Sequence, residues 1–495
     1  MNRSGISIGQ AQRHLRILGI WIVGISISGC AGLPSVGPDY ARLDLPLPAE
    51  WPNVLPQVND APNIAAWWTQ LGDEDLDWLI QAAISGDLDI KLAKARLRQA
   101  RANRAQAISA YYPTISASVQ AMPTNYGAPS SERPDTTTFD AGFDALWELD
   151  IFGGTRRSVE ASTADVDSSR ASALNVRVTL VAEVAQNYVD VRSYQGRLII
   201  ARSNLKSQSD TLDIAQWRYQ AGLARSTDVE QARASLEQTR AEIPDLEVEL
   251  SRAKNRLAVL TGKIPGALDR RLSVVRDLPT IPEQIAIGIP ASVLTQRPDL
   301  IVAERNLAAE TARVGQKIAQ RYPSLSLGGS FGWTAYSLSA MGAADSFIST
   351  IIGTLALTLF DGGRLRSIVE AQNAVQEQAL ITYEQTVLIA LEEVENALIA
   401  HAYAHDKVTA WAASAEAARN AAELSRDLYQ SGLTDFQQVL ISERSRLTAE
   451  DSLAQARASR VVTLVKLYKA LGGGWQVTAI PGNQSRIEPE KRRPT

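Results

Sequence analysis

Cysteine is nearly missing from this 495-residue chain: Cys30 stands alone, so no intramolecular disulfide can form. Histidine is almost as scarce, with His14, His401 and His405 only. His401 and His405 are four apart on a helical pattern, a spacing that can grip a metal. No third ligand stands nearby and the glutamate of a zinc-protease motif is lacking, so an exposed helix face is the better reading. Gly153-Gly154 and Gly362-Gly363 lack the Lys-Ser/Thr pair that completes a phosphate loop, and no nucleophile constellation is present. The expectation is a protein that is no enzyme and needs no metal or other cofactor beyond a covalent lipid, argued below.

Long apolar runs are missing too. Past the amino terminus no stretch of about eighteen apolar residues occurs, which excludes transmembrane helices and leaves any membrane crossing to strands. An excess of positive charge is likewise absent: without Arg3, Arg13 and Arg16 the chain carries 47 basic against 54 acidic residues, no profile for nucleic-acid binding.

The amino terminus supplies what the rest lacks. Met1–Gly29 has arginines at 3, 13 and 16, an apolar stretch from Ile17 to Ile27, and the small pair Ser28-Gly29, the pattern of a bacterial export signal. Ile27-Ser28-Gly29-Cys30 resembles a lipobox, in which the chain is cut before Cys30 and that cysteine is acylated; an ordinary signal followed by a chance cysteine is the alternative. In the lipoproteins this resembles, an acidic residue after the cysteine favours inner-membrane retention. Ala31 follows here, so the outer membrane is expected. From Leu33 to Pro62 seven prolines interrupt every periodicity, and residues 30–66 read as an extended tether, either a free spacer or a segment packed on the body.

The body is a repeat. Tyr219-Gln-Ala-Gly-Leu223 returns as Tyr429-Gln-Ser-Gly-Leu433, and at the same 210-residue offset Asp89 falls on Asp299, Tyr112-Pro113 on Tyr322-Pro323 and Gly262 on Gly472. One supersecondary unit is used twice, over residues 67–277 and 278–474, ahead of a flexible tail at 475–495. Trp67, Trp68 and Trp78 open the first unit as packing anchors.

Each unit carries two runs of period two. Ile115, Ala117, Val119 and Ala121 alternate with Ser116, Ser118 and Gln120; Phe139 to Ile151 alternates with Asp140, Asp144, Glu148 and Asp150. Strands are expected at about 114–122, 139–151, 324–334 and 347–360, near the length that crosses a bilayer at a tilt. A soluble half-buried sheet is the plainer alternative. Four strands cannot seal themselves in lipid, so the barrel must be shared: two copies would pack eight strands too tightly for a pore, and three would give twelve around water.

From Arg364 to Ser431 there is neither glycine nor proline, and Thr155–Ala221 has no proline and one glycine. Helices of about 100 Å follow at 1.5 Å per residue, each partnered by two shorter ones in a long shaft of antiparallel helices. Pro244 predicts a kink in the first unit. Gly222 and Gly432 sit where left-handed caps end the long helices. Beyond these tip turns lie Arg225, Asp228 and Arg233, then Asp435, Glu443 and Arg444, candidates to close a mouth by charge pairing. Ordinary solvated helix starts, with Asp228 or Asp435 as N-cap, are the simpler reading.

Taken in order, Val36-Gly37-Pro38-Asp39-Tyr40, Trp147 to Gly154, Arg240-Ala241-Glu242-Ile243-Pro244, Asn255 to Gly262, Arg297-Pro298-Asp299 and Tyr322-Pro323-Ser324-Leu325-Ser326-Leu327 resemble the TolC-like outer-membrane efflux channels, in particular their lipoprotein branch. The resemblance implies a mainly helical chain with membrane strands, a homotrimer with a twelve-stranded barrel, and a tripartite assembly with a periplasmic adaptor and a proton-driven inner-membrane pump of the RND type. Some relatives close the tunnel with an aspartate where this chain has Ile441, one turn from the arginine kept here as Arg444. A neighbouring Asp435 or Glu443 would have to replace it. The function implied is passive conduction of small toxic compounds; an exit duct for protein secretion shares the fold and is the alternative.

Overall fold

The computed structural model describes residues 35–43, 64–125, 135–282 and 296–475. The expected signal peptide, Cys30 and the carboxyl-terminal stretch from 476 lie outside the described residues. In chain order the elements are a 3-10 segment Ile64–Leu71, α1 (Glu74–Gly86), α2 (Leu88–Ser109), β1 (Thr114–Thr124), β2 (Thr136–Leu149), α3 (Gly154–Gln220), α4 (Ser226–Leu260), α5 (Pro298–Ala319), β3 (Ser324–Ala335), β4 (Phe347–Ala356), α6 (Arg364–Gln430) and α7 (Phe436–Ala470). The chain divides into two compact units: residues 1–44, 96–169 and 302–383 form one, and residues 45–95, 170–301 and 384–495 the other.

The first unit holds one antiparallel sheet in the order β1-β2-β3-β4. The central pair, β2 with β3, joins the two repeats, with Phe143 opposite Phe331 and Asp144 opposite Ser330. Pairing ends at Ser324 with Ala356, so Leu357–Phe360, expected in strand, have no partner residue in β3 and leave the sheet. At the foot of β2 the strand stops at Leu149 because the Asp150 carboxylate turns to cap α3, accepting from the Thr155 and Arg156 amides at 3.0 and 2.8 Å. Asp361 does the same for α6, accepting from Gly363 and Leu365 at 2.9 and 2.8 Å. In each half an aspartate thus turns strand into helix.

The second unit contains the main core. Trp67 is 1% exposed and stacks on Tyr468 at 5.1 Å, while Leu76, Leu79, Ile80, Val184, Leu257 and Leu464 fill the space around them. In this unit Ile64 is buried, and so is Trp475, although the sequence places it in a flexible tail. The Gly474 amide, bonded to the Ile64 carbonyl at 2.9 Å, holds it there. A second core of Leu212, Val229, Leu236, Tyr429, Phe436 and Val439 lies where the long helices end.

Both long helices run 67 residues without a break. Such length is sustained by packing and not by propensity, since an isolated helix is marginal in water. α4 continues through Pro244 as a single helix; the ring removes one amide bond, but the flanking turns still hold.

In the same unit Asp75, 5% exposed, receives three guanidinium groups: Arg192 and Arg271 at 3.0 Å and Arg276 at 3.4 Å. Arg192 is 2% exposed and also donates to the Tyr188 hydroxyl at 3.0 Å and the Val274 carbonyl at 2.7 Å. The Tyr188 hydroxyl in turn donates to Asp73 at 2.6 Å. Burial and that carboxylate push the Tyr188 phenol well above its ordinary range, so it stays a donor.

Candidate functional site

The sheet has two chemically different faces. On one, Ile115, Ala117 and Val119 stand opposite Ala145, Phe143 and Ala141, and Phe143 stacks on Phe331 at 5.2 Å. On the other, Ser116 and Gln120 stand opposite Asp144 and Asp140. Ser118 donates to Asp144 at 3.1 Å and Thr334 to Asp140 at 2.7 Å. None of the four strands carries a lysine or arginine. Val119 is 87% exposed and Ile351 83% exposed in the single chain, a pattern that water disfavours and hydrocarbon accepts. Among the described residues no strand lies beside the outer edges of β1 and β4. In hydrocarbon, a sheet with an apolar face, an acidic face and two open edges leaves its edge backbone groups unpaired until further strands join it.

The tip turns are built as the glycine spacing predicts. Gly222 and Gly432 have φ of +70° and +76°. Leu223 and Leu433 each donate an amide back to the long helix, at 2.8 Å to Arg218 and Leu428, which closes the last turn. Their side chains are 67% and 74% exposed.

The six charged candidates divide. Asp435 caps α7, accepting from the Gln438 amide at 3.0 Å. Asp228 lies inside α4 and accepts from the Arg225 amide at 3.2 Å, so Arg225 and not Asp228 holds the cap position. Arg233 pairs with Glu230 one turn back at 3.2 Å, an exposed contact of small worth. Glu443 is 2% exposed and buried against Arg426, with the Ser207 hydroxyl donating at 3.3 Å. Arg444 is exposed, and so is Ile441, at 53%. Within one chain the structure pairs neither Asp435 nor Glu443 with Arg444. His401 lies within 3.3 Å of the Thr463 hydroxyl; burial, then Arg460 and His405, hold its imidazole below the usual range.

The sequence assigned no role to the buried arginines that organise each unit, although Arg297 stands in one of the stretches that carry the family resemblance. Arg157, 3% exposed, grips residues 36–39, and Arg297 binds Asp299 at 2.6 Å, Glu393 at 2.7 Å and the Ala470 carbonyl at 2.9 Å. The available signal was Arg297-Pro298-Asp299, an arginine and an aspartate bracketing a helix start.

The model of the outer membrane efflux protein family matches residues 79–263 and again 289–473, once per repeat. The chain belongs to the outer membrane efflux protein family. Nodulation protein T of Rhizobium leguminosarum bv. trifolii is 31% identical over 92% of this chain and 97% of its own. The pyoverdine export outer membrane protein OpmQ of Pseudomonas aeruginosa is 32% identical over 91% and 96%. Cation efflux system protein CusC of Escherichia coli K12 is 28% identical over 91% and 98%. Among solved structures, the outer-membrane channel OprN superposes with a TM-score of 0.83 at 35% identity, over 89% of this chain and 99% of its own. Like its family, the protein is an efflux channel of the outer membrane. The two faces of the sheet are those such a channel needs.

Proposed function

We propose that three copies of this efflux protein close a twelve-stranded barrel, β1 of one chain pairing with β4 of the next, with Asp140, Asp144 and Glu148 turned to the water. The single observation that carries this is the sheet itself: four strands, one apolar face, one acidic face and two open edges. Eight strands would leave an interior that side chains fill, and twelve leave room for cargo. The chain does no chemistry. A periplasmic adaptor meets the tip turns, where Leu223 and Leu433 are exposed, and an RND-type inner-membrane pump supplies the energy. Acylation of Cys30 fastens each chain to the inner leaflet of the outer membrane. The cargo is a small toxic compound; relatives named for pyoverdine export and for cation efflux bracket the chemistry.

The test is reconstitution. Mature protein extracted in detergent runs as a trimer by native mass spectrometry, conducts ions weakly in planar bilayers, and its gene deletion sensitises cells to toxic compounds. A monomer that stays in solution without detergent overturns the reading.

A further inference from the structure

Residues Ser35–Leu43 are seated on the first unit, and the seat is specific. The Val36 amide donates to the Phe152 carbonyl at 3.1 Å, directly after β2. Arg157, on the first turn of α3, donates through Nε to the Val36 carbonyl at 3.2 Å and through Nη2 to the Gly37 carbonyl at 3.2 Å and Asp39 at 2.6 Å. Its Nη1 donates to Glu160 at 2.8 Å, so a guanidinium 3% exposed has its charge answered twice. Gly37, at φ +92°, lies against Gly315 of α5: a Cβ on Gly37 would fall 2.4 Å from the Gly315 Cα, and one on Gly315 would fall 2.9 Å from the Val36 carbonyl oxygen. Tyr40 then packs against Ala164, Ala308 and Ala309 and donates to Glu304 at 3.1 Å.

Two features give this seat a purpose. α3 leaves β2 and α5 leads into β3, so the segment bridges the roots of the one strand pair that joins the repeats. The repeat does not reproduce the seat among the described residues: 210 residues away, Arg157 is matched by Ser367 and Gly315 by Ala105, which can offer neither the fork nor the gap. Cys30 lies five residues before Ser35, within about 18 Å at full extension of the chain.

We propose that Ser35–Leu43 is a staple tying the amino-terminal lipid anchor to the root of the β2–β3 pair, with Arg157 as its positioning residue. The proposal rests on the acylation of Cys30 put forward above. A force or a membrane position imposed at Cys30 is transmitted to the foot of the sheet, and not to the second unit that the chain reaches after Leu43.

Paired insertions test it in the full-length protein. A flexible Gly/Ser stretch of about twelve residues goes either between Cys30 and Ser35 or within residues 44–63. The staple predicts that the first lowers the yield of detergent-resistant trimer in the outer membrane severalfold and the second leaves it unchanged. Equal effects overturn it. Arg157→Met should speed exchange of the Val36 amide, which is bonded to the Phe152 carbonyl, by about tenfold or more, from loss of the charge-assisted bonds that the buried guanidinium makes, with the tip core exchanging as in wild type. Unchanged exchange also overturns it. Should Arg157→Met fail to fold, Asp39→Asn gives the milder version of the same measurement. Fatty-acid labelling separates the two ideas: a Cys30→Ser chain that keeps its label removes the lipid reading, whereas a labelled chain indifferent to where the insertion sits removes the staple alone.

Discussion

Arg218, on the last turn of α3, donates to the Tyr429 carbonyl at 2.7 Å and the Gln430 carbonyl at 3.0 Å, closing the end of α6 with a cation from the other repeat. Its guanidinium also lies 4.7 Å from the centre of the Tyr429 ring. The residue 210 positions on is Leu428, so the favour is not returned. The two tip turns share a backbone but differ in what secures them.

Arg218→Ala should therefore loosen the second tip turn more than the first. Charge-assisted bonds to helix-end carbonyls are worth about 1.5–3 kcal/mol. Hydrogen exchange at residues 429–433 should accelerate while residues 219–223 change little. Equal acceleration in both turns would show that Arg218 supports the tip only through general packing.

The two faces of the sheet separate by substitution. Val119→Arg places a charge on the apolar face, at a cost of about 2–4 kcal/mol near mid-membrane, and should cut the amount of assembled protein in the outer membrane. Ser118→Arg, one residue away on the acidic face, should assemble normally and alter single-channel conductance. The reverse outcome would mean the faces have been assigned backwards.

At the tip, Glu443 and Arg444 are adjacent in sequence and opposite in role. Glu443→Gln leaves Arg426 beside a neutral partner in a buried setting, where breaking such a pair costs about 3–5 kcal/mol; thermal unfolding should come measurably earlier. Arg444→Ala removes an exposed cation with no ion-pair partner among the described residues and should leave the melting temperature within error. If charge pairing between chains closes the mouth, Arg444→Ala raises the resting conductance in bilayers, and an unchanged conductance removes Arg444 from the gate.

His401 sets a pH dependence with a definite sign. Its folded pKa is depressed by burial, by Arg460 and by His405, so the unfolded chain takes up the proton first. The contribution is fully present above the unfolded value of about 6.5 and is lost as pH falls through the lower folded value. Comparing melting temperatures from neutral pH down to about pH 5, His401→Gln should fall less steeply than wild type. Parallel curves would show that the imidazole titrates freely.

What the sequence determined by itself was everything carried by period and by punctuation. The 210-residue offset, the alternation through β1 and β2, the glycine-free span of α6 and the tip glycines are local signals, because a strand's faces and a helix's end depend on neighbours in the chain. The strand ends were less legible: Asp150 continues the alternation yet leaves the sheet to cap α3, a choice between two satisfactory partners for one carboxylate. Tertiary structure alone decided where the charges went. Asp435 and Glu443 look alike in sequence, but one caps an exposed helix start while the other is buried against Arg426, since burial is set by which helix packs alongside. The same holds for the segment after Cys30. Its prolines and glycine say only that it is no helix or strand; that Gly37 nests on Gly315 under the Arg157 fork follows from groups more than a hundred residues apart meeting in space, which no local pattern encodes.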